Sequence, residues 1–141
     1  MKSEIVITPR YSETDQMGII YHANYFPWFE MGRTDLLAKI GFAYKSIEDM
    51  GILFPLTEGN CKYKIAAKYD EDVRLVTKFG MLKGTKARFD YEVYRVSDDV
   101  CLATGFTEHG FVDKNLKPVR LRRDYKDLWD AMESSYKESI E

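Results

Sequence analysis

The chain of 141 residues carries 21 Lys and Arg against 23 Asp and Glu, for a net charge of −2, and its length suits a single domain over residues 1–141. With 45% apolar and 31% charged residues, it has the make-up of a soluble globular protein that needs no metal or disulfide staples. The charge balance excludes the strongly basic footprint of a general nucleic-acid binder, and no run approaches the ~20 apolar residues of a membrane span.

Residues 3–11 read as a first strand bearing Ile5, Val6 and Ile7, with none of the features of a signal peptide, so a cytoplasmic location is expected. Residues 12–22 are loop-like. From Asn24 to about Ile40, Tyr25, Phe29, Leu36 and Ile40 recur near a period of 3.6, which predicts a helix buried on most sides. Asn24 is the expected N-cap, Pro27 falls in the first turn and Gly41 supplies the stop. Gly32 would let a neighbouring backbone approach closely.

Residues 42–60 show no clear period beyond a helical turn over Tyr44–Met50. Cys61, Tyr63, Ile65 and Ala67 then alternate with lysines, as do Val73, Leu75, Thr77 and Phe79 with Arg74 and Lys78, Val76 being an apolar intruder. Phe89, Tyr91 and Val93 alternate with Arg88, Asp90 and Glu92. Lys83-Gly84-Thr85 and Ser97-Asp98-Asp99 read as hairpin turns. A last strand runs from about Val100 to Val112 and places His109 in phase with Thr107 and Phe111, as a core histidine. Tyr125, Leu128, Trp129, Met132, Tyr136 and Ile140 mark an amphipathic C-terminal helix. Helices segregated from successive strands make an α+β fold, a five-stranded antiparallel sheet around one apolar helix. Cys61 and Cys101 fit no zinc or redox spacing and read as reduced thiols.

Familiar catalytic signatures are missing: no G-x-S-x-G, Walker loop, H-E-x-x-H or G-x-G-x-x-G occurs. With only two histidines, neither a zinc site nor a Ser-His-Asp triad finds its parts. The segment Thr14–Tyr25 stands out instead. Asp15 sits in a loop, Gly18 follows, and the chain enters the N-terminus of the buried helix, whose unpaired N–H groups favour negative charge beside it. Those groups could hold a developing oxyanion while the carboxylate acts as base or nucleophile. An aspartate before a helix can equally be a cap, and the spacing alone leaves both readings open.

The pattern Asp15-x-x-Gly18-x-x-Tyr21-His22-Ala23-Asn24-Tyr25, followed by Phe29-Glu30 and Arg33, resembles the hotdog-fold acyl-CoA thioesterases. It is most similar to the 4-hydroxybenzoyl-CoA thioesterase group and the small Tol–Pal-associated (YbgC-like) enzymes. The resemblance implies a sheet wrapped around a long central helix and hydrolysis of a thioester to a free acid and CoA. It places Asp15 on the family's catalytic aspartate, as nucleophile or general base, and the carbonyl-polarising backbone N–H at or beside His22. The His22 side chain either lines the pocket or is structural. Gly18 would allow the tight loop, while Tyr21, Asn24 and Tyr25 surround the substrate as packing and capping residues.

Basic residues that would meet the CoA phosphates are Lys83, Lys86 and Arg88 at a hairpin and Lys117, Arg120, Arg122 and Arg123 after the last strand. Glu30 is expected to pair with Arg33 at i,i+3. The resemblance further implies no metal or cofactor, CoA being part of the substrate, and a homodimer as the minimal unit, paired again into a homotetramer, with its site at the subunit interface. The aromatic surplus (two Trp, ten Tyr, eight Phe) suits such an interface. Gln16 and Met17 are bulkier than is usual for the family, which leaves the acyl group open, as is the choice of CoA or acyl-carrier protein. A non-catalytic hotdog module that binds acyl thioesters is the alternative from another class. A hotdog dehydratase would need a His and acid pairing that this motif lacks.

Overall fold

A computed structural model describes residues 1–141. Five strands, β1 (Ser3–Ile7), β2 (Leu56–Tyr63), β3 (Val73–Lys83), β4 (Lys86–Arg95) and β5 (Cys101–Gly110), form one antiparallel sheet in the order β1-β3-β4-β5-β2. The long helix α1 (Tyr25–Lys39) packs across β1, β3 and β4. A short α2 (Tyr44–Asp49) and a turn α3 (Leu121–Asp124) precede the C-terminal α4 (Lys126–Ser139), which lies against β3. No helix is long and apolar enough to cross a membrane.

The alternation in β3 and β4 sets the inner face. Val73, Leu75, Thr77, Phe79, Phe89, Tyr91 and Val93 are buried, and they share one apolar cluster with Trp28, Phe29, Leu36 and Leu37 of α1 and Leu128, Trp129 and Met132 of α4. Burial of that many large side chains is the main stabilising term of the fold. The β3–β4 turn is a two-residue connection, since Lys83 pairs with Lys86. Gly32 does allow a close approach, but to side chains: a Cβ there would stand 2.2 Å from Thr77 Oγ1 and 2.7 Å from Leu75 Cδ2.

Several expectations are corrected. β1 stops at Ile7, and the chain turns through a short 3-10 segment at Tyr11–Glu13. β2 starts at Leu56 and ends at Tyr63 rather than running over 61–67. The amides of Lys64 and Ile65 both meet the Leu102 carbonyl, which takes Ile65 and Ala67 off the ladder. As an edge strand, β2 has no consistently buried side, so alternation there carried little information. α1 is buried on one face only, and Pro27, Glu30, Met31 and Ala38 are exposed, because a single sheet covers one side of a helix. Asn24 is helical in φ and ψ and makes no capping bond. The helix is entered through a 3-10 turn, His22–Asn24, with extended Tyr21 before it.

Candidate active site

The segment 13–21, expected as loop, is a small hairpin. The Asp15 amide donates to the Ile19 carbonyl (2.8 Å), Thr14 bridges Ile20, and the Tyr21 amide donates to the Glu13 carbonyl (2.8 Å). Its tip is closed by the Gly18 amide on the Asp15 carbonyl, with Gly18 at φ +80°, a conformation that L side chains rarely adopt. The Asp15 carboxylate accepts the Met17 amide at 2.8 Å. A further bond, Ile20 amide to Ala67 carbonyl, fastens the hairpin to the chain leaving β2.

This arrangement sets Asp15 and His22 in the wall of one cavity of about 210 Å³, otherwise lined mostly by apolar groups, among them Met17, Ile19, Tyr25, Tyr63 and Ile65. The 3-10 turn that opens α1 begins at His22, so the amides of His22 and Ala23 have no acceptor within the turn. The Tyr63 hydroxyl donates to the His22 carbonyl (2.9 Å), and the Tyr63 ring meets Tyr25 edge-on at 5.0 Å. Burial, the neighbouring Cys61 and Tyr25 push the Tyr63 phenol up to about 12, so it stays protonated and able to donate. Burial likewise raises Tyr25 and the Cys61 thiol.

Tyr21 is exposed and lies against the His22 ring, with centroids 4.3 Å apart. Asn24 uses its side chain elsewhere, donating from Nδ2 to the Glu13 carbonyl at 2.8 Å. A second, open depression of about 810 Å³ on the other side of Asp15 is lined by Tyr11, Ser12, Gln16, Tyr21 and Asn24. No three His, Cys, Asp or Glu side chains converge.

The basic residues do not join this cavity. Lys86 pairs with Glu108 (3.7 Å), Arg88 with Asp90 (3.0 Å) and Arg123 with Asp124 (2.8 Å), whereas Lys83, Arg120 and Arg122 make no ion pair. They gather at the far end of the sheet, because the Phe111 amide bonds Thr85 and the Val119 amide bonds Phe111. Tyr63, in the cavity wall, pairs with Ala103, whereas Lys86 pairs with Gly110. The offset of seven positions along β5 from Ala103 to Gly110 spans roughly 23 Å.

The expected Glu30–Arg33 pair does not form. Glu30 is exposed, and Arg33 turns inward to donate to the Tyr91 hydroxyl at 3.2 Å, above the Phe89 ring. Two groups at the site carried no assignment in the sequence. Alternation put Tyr63 on the inner face but not beside the helix start. Glu13, two residues before Asp15, had no distinguishing signal.

The thioesterase superfamily model matches residues 17–102, which hold the helix entry, α1 and most of the sheet. The chain belongs to the thioesterase superfamily. Among thioesterase relatives, the Bacillus subtilis protein YneP, named as a candidate acyl-CoA thioesterase, is 37% identical over 96% of this chain and 97% of its own. The acyl-CoA thioesterase YbgC of Haemophilus influenzae is 28% identical over 82% and 85%. Among solved structures, a DHNA-CoA thioesterase from Staphylococcus aureus superposes with a TM-score of 0.90 at 36% identity, covering 94% of this chain and 89% of that one. The sheet and central helix are those of the hotdog thioesterases.

Proposed function

We propose that this thioesterase hydrolyses acyl-CoA thioesters to a free acid and CoA, with Asp15 as its carboxylate and the opening turn of α1 as its oxyanion site. The observation that carries the reading is the shared cavity: Asp15 and His22, the residue that opens the turn with unpaired amides, line one mostly apolar pocket. A thioester carbonyl seated there would have its oxygen at the amides beside His22 and its carbon within reach of Asp15. Asp15 takes a proton from water as the water oxygen attacks the carbonyl carbon, or attacks that carbon itself, with water then cleaving the resulting anhydride. Negative charge developing on oxygen is held by backbone dipoles that need no reorganisation. On the first route the C–S bond then breaks and the CoA sulfur leaves with the proton taken from water. On the second the C–S bond breaks as the anhydride forms, and the water that cleaves the anhydride supplies the proton of the departing thiolate. Protein groups and water are the only participants.

The acyl group occupies the apolar cavity. Lys83, Arg120 and Arg122, unpaired at the surface, take the CoA phosphates, while Lys86 and Arg88 are held by their own carboxylates. In one subunit those cations stand at the wrong end of the sheet. Two-fold antiparallel pairing of the exposed β2 edges would bring the partner subunit's cationic end alongside Asp15, so the working unit is a homodimer, able to pair again as a tetramer.

The test is turnover of an acyl-CoA panel by wild type and Asp15→Asn. A loss of about 10²-fold or more with folding intact is expected. Equal rates would overturn the mechanism, and tight binding without turnover by wild type would favour a binding module instead.

A further inference from the structure

The hairpin that carries Asp15 and the helix that carries the amides are separate elements, and one residue, Glu13, joins them at two points, through Trp28 and Asn24. Glu13 is only 14% exposed at its side chain. Its Oε2 accepts the indole N–H of Trp28, on the first turn of α1 and 2% exposed, at 3.0 Å. Its Oε1 accepts the Arg10 amide at 2.8 Å, which closes the 3-10 turn leading into the hairpin. Its carbonyl accepts both the Tyr21 amide and Asn24 Nδ2, each at 2.8 Å, on the approach to and within the turn that opens the helix.

From this geometry we infer that Glu13 is a positioning residue, a clamp that sets the distance between the Asp15 carboxylate and the amides at the start of α1. The inference rests on the functional reading above. Glu13 is outside the residues lining the Asp15–His22 cavity, so it acts through the elements it joins. Its carboxylate has no substitute. A glutamine oxygen can accept from Trp28 or from the Arg10 amide, whereas the carboxylate serves both at once. Loss of the Trp28 bond unties the side-chain link between hairpin and helix, and loss of the Arg10 bond frees the carboxylate to turn away from Trp28, while the cavity wall stays chemically intact. A shift of this kind acts on the chemical step and leaves acyl binding largely in place.

The experiment compares Glu13→Gln, Trp28→Phe and the double variant with Asp15→Asn and with Leu128→Ala, a core truncation on α4 remote from the site. The kcat of each single clamp variant should fall about tenfold with KM nearly unchanged. The double variant should lose less than the product of the two single losses, because Glu13→Gln and Trp28→Phe act on one coupled set of bonds around the same carboxylate. In Glu13→Gln, the Trp28 indole N–H resonance should also shift. If Asp15→Asn is inactive while the clamp variants keep wild-type kcat, the clamp is refuted and the functional reading stands. If Leu128→Ala lowers kcat as much as the clamp variants do, the loss is general destabilisation and the clamp is again refuted. Full activity of Asp15→Asn would refute both. Should Glu13→Gln fail to fold, Trp28→Phe carries the same comparison.

Discussion

His109 is 2% exposed on the inner face of β5, and its partners determine where its proton sits. Nδ1 lies 3.0 Å from the Phe54 carbonyl, which can only accept, so Nδ1 is the protonated nitrogen. Nε2 must then accept from the Thr107 hydroxyl (2.8 Å), Thr107 accepts from Tyr91 (2.6 Å), and Tyr91 accepts from Arg33. A second proton on His109 would make Nε2 a donor and take away the acceptor of the Thr107 hydroxyl proton. Burial, assisted by the Arg33 charge and opposed by the Phe54 carbonyl, lowers the imidazole from 6.5 to about 4. The unfolded chain therefore takes up a proton that the folded state refuses. Stability from this site is fully present above pH 6.5, falls as pH drops toward 4 and levels off below, a loss of about 2–4 kcal/mol. Denaturant unfolding as a function of pH should show that slope in wild type and a shallower one in His109→Gln. Nitrogen NMR should find the Nδ1–H tautomer at neutral pH, and the Nε2–H form would contradict the chain.

At the scale of elements, the decisive packing is α1 on β3. Gly32 faces Thr77 and Leu75, and a methyl group there would overlap both. Gly32→Ala gains about 1 kcal/mol of helix propensity, but overpacking in a buried contact costs about 1–3 kcal/mol. A lowered Tm is expected, partly recovered in Gly32→Ala/Thr77→Ala, since Thr77 Oγ1 is the nearer obstacle and has no hydrogen-bond partner to lose. An unchanged Tm would mean that the helix lifts freely from the sheet. This contact was readable beforehand only as a small residue in a large-residue helix. Legibility followed the strength of the inside–outside distinction. β3, β4 and α4 each have a buried and a wet side, and their periods place their core residues correctly, except that Ile140, beyond the last turn of α4, is exposed. β2 has no such side, and its bounds were missed. Asn24 and the Glu30–Arg33 spacing have the right residue types for a cap and a pair, but the Asn24 side chain is held through Nδ2 by the Glu13 carbonyl, and the Arg33 guanidinium turns to the Tyr91 hydroxyl. Asp15, Gly18 and His22 were visible as a pattern. Tyr63, 41 or more residues on, reaches them only through the fold.

For the whole molecule, the separation of Asp15 from the unpaired cations makes a sharp prediction about assembly. If each site takes its carboxylate from one subunit and its phosphate-binding cations from the other, two crippled chains can repair each other. Asp15→Asn keeps its cations, and a chain with Lys83, Arg120 and Arg122 changed to Glu keeps its carboxylate. Each alone should be poor, the first in kcat and the second in KM, with the latter's affinity also losing its salt dependence. In a mixed dimer, one site combines both lesions and the other combines neither. Random pairing in an equal mixture, after dissociation and reassembly, makes half the dimers mixed, so about a quarter of the wild-type rate should return at low substrate. A site contained in one subunit would return none, because no arrangement of the two chains would then unite an intact Asp15 with intact cations. The recovered rate thus reports directly on whether the exposed β2 edge is where the functional unit is completed.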